Sequence, residues 1–150
     1  MSHTAPVYQP PLSDTARALG HLGLLPFVLG AALVWMGLAP DLHAFVTLAL
    51  SAYAAIIVSF LGGIHWGLAF RLSAPPASLI IWGVVPSLVA WLAVLMPPYA
   101  GLALHGVMQL VGYAVDRRVY PVQGVAHWLT LRFRLSTVAS LSCFLGAAGT

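Results

Sequence analysis

The side chains that could do chemistry are few, and four of them fall within or beside apolar stretches. They are His21, His65, Gln109 and Asp116. Counted at 1.5 Å per helical residue from the flanking arginines, all four lie within about 10 Å of one end of those stretches. Such groups are costly in hydrocarbon, so they pair with one another or line a cavity. We predict that three helices converge there, with Gln109 near His65 and Asp116 near Arg71, Arg117 or His21.

A longer polar pattern includes two members of this cluster. At 100° per residue, His105, Gln109, Gly112 and Asp116 fall on one face of a helix, and that face should point into a bundle. Hydrogen bonding between helices accounts for the pattern as a structural feature. The functional alternative is a path or site for a proton or a small ligand.

Catalytic and cofactor signatures are absent from the sequence. It contains no nucleophile elbow, phosphate-binding loop, HExxH pair or dinucleotide fingerprint, which indicates a non-enzymatic protein. Its single cysteine, Cys143, excludes an intramolecular disulfide and a cysteine-based metal cluster, and we predict no metal site. A haem held by His21 and His65, which lie at similar depth, is a remaining alternative, although no cofactor is predicted.

Composition places the chain in a lipid bilayer. Of its 150 residues, 61% are hydrophobic and only 6% are charged, whereas a soluble domain carries about 25% charged residues. Six arginines are too few and too scattered to follow a nucleic-acid backbone. We therefore predict an all-α integral membrane protein with no nucleic-acid partner.

Five apolar segments follow a polar, disordered tail over residues 1–18 and form one domain over residues 19–150. They cover approximately residues 19–38, 42–70, 77–96, 99–115 and 128–148. Pro26 and Pro86 each remove a backbone hydrogen bond and should kink the first and third helices.

The arginines predict the orientation of these five helices. Besides Arg17 they are Arg71, Arg117, Arg118, Arg132 and Arg134, and all six fall on one side of the predicted bundle. Positively charged residues concentrate on the cytoplasmic side, where they also attract anionic lipid, so the N-terminus is predicted inside and the C-terminus outside. Arg132 and Arg134 should extend from the last helix to the near interface.

The run SFLGGIHWG within the second segment predicts a helix-packing seam. Its members are Ser59, Gly62, Gly63, Trp66 and Gly67. Glycines spaced in this way allow another helix backbone to approach closely. The alternative is a groove that admits a flat ligand or a lipid.

Several of these motifs occur together in one known family. The run Ser59–Gly67, the Leu24-Leu25-Pro26-Phe27 string, the Val85–Trp91 string and Asp116-Arg117-Arg118 resemble the family named domain of unknown function 3429, which includes mitochondrial transmembrane protein sixty-nine. The resemblance covers roughly residues 17–145 and implies a bacterial inner-membrane or mitochondrial setting, without an activity.

These observations lead to three functional hypotheses. The first is an accessory subunit or assembly factor of a larger complex in the bacterial inner membrane, in contact with other membrane subunits or with further copies of itself. The second is a binder or carrier of a small hydrophobic or protonatable ligand such as a quinone. The third is a haem-binding electron-transfer subunit.

Overall fold

Residues 11–150 are described by a computed structural model, and the regular structure of this part of the chain is entirely helical. The helices are α1 (Asp14–Leu22), α2 (Leu25–Val34), α3 (Pro40–Ala69), α4 (Ala77–Leu95), α5 (Pro98–Val122) and α6 (Leu129–Ala148), with a 3₁₀ turn at Ala126–Trp128 before α6. Because α1 and α2 are two halves of one interrupted segment, the predicted number of five helical segments is confirmed.

Length and hydropathy mark three stretches as candidate membrane spans. They are Asp14–Val34, Pro40–Ala69 and Ala77–Leu95. Helices α5 and α6 have 25 and 20 residues, enough to cross the ~30 Å of hydrocarbon, but both contain charged side chains. Five membrane crossings and their orientation therefore stay predictions.

The first segment differs from the prediction of one helix over residues 19–38 with a kink at Pro26. Ser13 Oγ accepts a hydrogen bond from the Ala16 backbone N–H at 3.2 Å, so α1 begins at Asp14, inside the stretch predicted as a disordered tail. Residues 1–10 of that tail lie outside the described residues. The segment is interrupted at Gly23 and Leu24, because Pro26 lacks an N–H and favours the first turn of a new helix.

The fourth segment extends beyond its predicted end at residue 115. Helix α5 continues to Val122, and the chain turns at Gly124, whose φ is +74°. The run Asp116-Arg117-Arg118 does not end the helix, because charged residues keep good helical geometry, whereas a glycine with positive φ breaks it. Asp116 consequently lies within α5, one residue beyond the predicted end of the segment.

The contact between α3 and α4 corrects the predicted seam. A Cβ on Gly62 would lie 2.9 Å from the Gly83 carbonyl oxygen, and a Cβ on Gly83 would lie 1.9 Å from Trp66 Cδ1. Gly62 and Trp66 therefore pack on α4, beside the buried Pro86 within that helix. Gly63 and Gly67 are exposed, with nothing in the described chain within 4 Å of an added Cβ. They lie beside the seam because one residue turns a helix face by about 100°.

Candidate ligand-binding site

Three charged or titratable side chains meet inside the bundle, one each from α3, α5 and α6. Arg132 Nε lies 2.7 Å from Asp116 Oδ2, and His65 Nε2 lies 3.4 Å from Asp116 Oδ1. Their exposed fractions are 7% for Arg132 and 1% for both Asp116 and His65. We call these three side chains the ion cluster. Asp116 is its centre, because each carboxylate oxygen faces a different partner.

Arg132 does not reach the membrane interface, contrary to the sequence prediction. Its guanidinium stays in the bundle, where Nη1 donates to Ser136 Oγ one turn later in α6. Arg134, which points to the other side of the same helix, is exposed. The difference follows from helix geometry, since Asp116 compensates the charge on only one face of α6.

His65 faces two hydrogen-bond acceptors. Its Nδ1 is 3.3 Å from the Leu61 carbonyl oxygen, and its Nε2 faces Asp116. A neutral imidazole has one N–H and can donate to one of them, whereas a protonated ring donates to both. The ring lies between two aromatic side chains, with centroid distances of 6.5 Å to Trp82 and 6.3 Å to Tyr120.

The polar face of α5 points into the bundle. His105, Gln109 and Asp116 have at most 1% exposure, and Gly112 is half-buried. Both ring nitrogens of His105 and the Gln109 amide nitrogen have no hydrogen-bond partner within residues 11–150. Gln109 makes no hydrogen bond to His65 in the same range.

His21 is outside the ion cluster. It is exposed at the end of α1, and its Nδ1 lies 2.7 Å from the Arg17 carbonyl oxygen of its own helix. Arg71 and Arg117, two expected partners of Asp116, are also exposed. Of the four predicted site residues, His65 and Asp116 lie in contact, with His65 Nε2 3.4 Å from Asp116 Oδ1.

Two apolar cavities adjoin the ion cluster on different sides. The smaller, of about 370 Å³, lies between α4 and α5 and reaches His65 and Trp82. The larger, of about 570 Å³, lies between α1, α3 and α6 and reaches Arg132 and Tyr120. We call the larger cavity the groove. Its walls come from Ala16, Leu19 and Gly20 of α1, from Phe60, Leu61, Ile64 and Leu68 of α3, and from Leu131 and Leu135 of α6.

Arg132 and Tyr120 are the site residues that the sequence prediction missed. The spacing of Arg132, Ser136 and Ser140 is a detectable signal, since residues four apart share one helix face. These three residues are all buried. An arginine followed by serines along one face indicates an inward-pointing charge rather than one that extends to the interface.

The described residues do not contain a set of metal ligands. Within residues 11–150, no group of three or more His, Cys, Asp or Glu side chains is arranged to hold a metal ion.

A helical bundle with three apolar candidate spans and charges paired between its helices defines a membrane protein. A family model described as "Protein of unknown function (DUF3429)" matches residues 12–148, and the chain belongs to that family, as its motifs predicted. It is 30% identical over 135 residues to transmembrane protein 69 of Xenopus tropicalis. The aligned region covers 88% of this chain and 53% of that protein. The chain thus spans about half the length of this relative. No solved structure matches the chain.

Proposed function

We propose that this membrane protein binds or carries a small membrane-dissolved molecule with one polar head, a class that includes quinones. The observation that carries the proposal is the groove of about 570 Å³, whose apolar walls lead to the buried Arg132. Binding sites for small molecules have this form, with volumes of about 300–1,000 Å³ and a few polar groups that orient the ligand.

The position of the groove suits a ligand that arrives through the lipid. Leu19 and Phe60 line it and are 63% and 65% exposed, so its walls continue into the lipid-facing surface. A hydrophobic molecule entering between α1 and α3 keeps its tail in an apolar medium. Only its polar head changes environment, because it leaves the membrane–water interface and comes into contact with Arg132 and Tyr120.

Native mass spectrometry of the protein in lipid nanodiscs tests this proposal. Ala16→Trp should fill the groove from α1 and abolish retention of a small amphiphile. Ala18→Trp is the matched control, because Ala18 is on the same helix, exposed and not part of the groove. Equal ligand retention by both variants would contradict binding in the groove.

A role as accessory subunit or assembly factor is a second proposal, supported by the outer face of α3. Gly63 and Gly67 form a flat, exposed strip, next to the glycine face that packs on Gly83. Glycine costs about 1 kcal/mol of helix propensity relative to alanine, and lipid tails return nothing for its small size. A transmembrane helix of another protein would use the strip for close packing.

Gly63→Leu tests the accessory role. It should dissociate the native complex without changing the thermal stability of the isolated bundle. Ala49→Leu, at another exposed position of α3, is the control and should leave the complex intact. A complex that contains only further copies of this chain would contradict the accessory role and support a homo-oligomer.

The haem alternative gains little support from the geometry. Both ring nitrogens of His65 already face acceptors, and His21 is exposed on α1. An absorption spectrum of the purified protein with a haem Soret band would overturn this view.

We further propose the bacterial inner membrane as location, with five crossings and a cytoplasmic N-terminus. The support is the distribution of the six arginines, because cationic residues are retained on the cytoplasmic side. Reporter fusions after Ala39, Pro75, Pro98, Gly124 and Thr150 should alternate out, in, out, in and out. A cytoplasmic C-terminus would mean that the number of crossings is wrong by one.

A further inference from the structure

We propose that the groove binds an anionic amphiphile, with an acyl chain along its walls and a carboxylate or phosphate head on Arg132. This inference rests on the proposed ligand-binding function and names the chemistry of the head. The chemistry of the head follows from the hydrogen-bonding groups of the ion cluster that have no partner.

The ion cluster has a buried donor without a hydrogen-bond partner, the Nη2 of Arg132. Both oxygens of Asp116 face partners, Arg132 on one side and His65 on the other. In the Arg132 guanidinium, Nε forms an ion pair with Asp116 and Nη1 donates to Ser136, while Nη2 is buried beside Gly112 without a hydrogen-bond partner within residues 11–150. A ligand head that reaches Nη2 must therefore supply an acceptor.

A buried guanidinium favours an anionic acceptor over a neutral one. Hydrogen bonds between ionised groups are roughly twice as strong as neutral ones, and the guanidinium geometry matches carboxylate and phosphate oxygens. Leaving a buried donor unpaired is costly, so a ligand acceptor that reached Nη2 would stabilise the Arg132 side chain.

The walls of the groove match an acyl chain. Leu19, Phe60 and Leu135 contribute flexible or flat apolar surface, and Gly20 lets α1 lie close to α6, with an added Cβ only 3.2 Å from Leu135 Cδ1. Helix α1 has no buried residue, so it can move away from α3 with little loss of packing and admit a chain from the side.

The experiment uses the whole protein in phosphatidylcholine vesicles and a photoreactive palmitate with a diazirine in its chain. Labelled residues are identified by mass spectrometry, at a pH that keeps the carboxylate ionised. Labelling should fall on groove residues of the wild type and Ala18→Trp, and be lost in Ala16→Trp. Oleate should compete at a concentration at least about tenfold lower than oleyl alcohol, which has the same chain without the charge.

The competitors separate the possible outcomes. Competition by phosphatidylglycerol but not by oleate would support the anionic head and identify a phospholipid as its source. Arg132→Gln should reduce the preference for acid over alcohol to under about threefold. The wild-type comparison stands without this variant, should the variant fail to fold.

Two results would overturn the inference in different ways. Equal competition by oleate and oleyl alcohol, with the groove still labelled, would reject the anionic head and leave the ligand-binding function standing. Labelling that is no higher in the wild type than in Ala16→Trp would reject both.

Discussion

Two halves of the bundle are held together by different interactions, apolar packing in one and paired charges in the other. In one half, Phe27, Leu50, Leu102 and Cys143 from α2, α3, α5 and α6 form an apolar core. In the other half, the same α3, α5 and α6 meet through the ion cluster. Both regions are almost completely buried, yet one contains no charge and the other contains a carboxylate and a guanidinium.

The comparison shows which half specifies how the helices are arranged. Lipid tails are as apolar as leucine, so burying Leu102 between helices gains packing but little transfer free energy. Asp116 and Arg132 are costly when exposed to lipid and become tolerable only with a partner. We infer that the ion cluster selects the arrangement of the helices and that the apolar core fills it.

The largest expected effect comes from removing the centre of the ion cluster. Asp116→Ala leaves Arg132 buried without a counter-charge, and the free energy of unfolding should fall by about 3–5 kcal/mol. Reversible unfolding in mixed detergent micelles measures the change.

The double variant Asp116→Ala, Arg132→Met distinguishes the cost of an unpaired charge from the value of the pair. Replacement of both buried charges by apolar groups is often close to neutral, so the double variant should recover most of the lost stability. Additive losses would show that the ion pair itself stabilises the bundle strongly.

The next effect compares a glycine of α4 inside its contact with α3 and a glycine on the exposed surface of α3. Gly83→Ala places a methyl group against Trp66, which also donates its Nε1–H to the Ile80 carbonyl oxygen at 2.9 Å. Thermal stability in detergent should show a loss of about 1–3 kcal/mol relative to Gly63→Ala. Gly63→Ala gains the same helix propensity and contacts nothing, so equal stability of the two variants would contradict the seam.

The ion cluster and the α3–α4 contact show how much of the structure could be predicted from the sequence. Composition and segment length were enough for an all-helical bundle of five segments, because both depend on averages over some 20 residues. The partner of Asp116 was not predictable, because it depends on the rotation of α6 and on the true end of α5. The prediction ended this helix at residue 115, seven residues before its end at Val122. Gly62 and Gly63 likewise differ only in helix rotation.

A smaller effect is expected in the apolar core. Leu102 is completely buried, and Leu102→Ala would cost roughly 2–5 kcal/mol in a water-soluble protein. In lipid the transfer contribution largely disappears and the loss of packing remains, so we expect about 1–2 kcal/mol from the same unfolding measurement. A loss as large as that of Asp116→Ala would contradict the distinction between the two halves.

The smallest effect concerns a single neutral hydrogen bond at the edge of the apolar core. Tyr53 donates its hydroxyl to the Gly23 carbonyl oxygen at 2.8 Å, at the interruption between α1 and α2. Its ring also packs edge-on against Phe27, with centroids 5.1 Å apart, and Tyr53→Phe retains that contact. Hydrogen bonds between helices in membranes average about 0.6 kcal/mol, so Tyr53→Phe should lower the free energy of unfolding by that amount.

Tyr113→Phe is the control, because the Tyr113 ring packs on Phe133 and its hydroxyl makes no hydrogen bond within residues 11–150. If Tyr53→Phe cost more than about 2 kcal/mol, the bond would fix the angle between α1 and α2 and thereby the width of the groove. The apolar half would then also depend on a polar contact for its specificity.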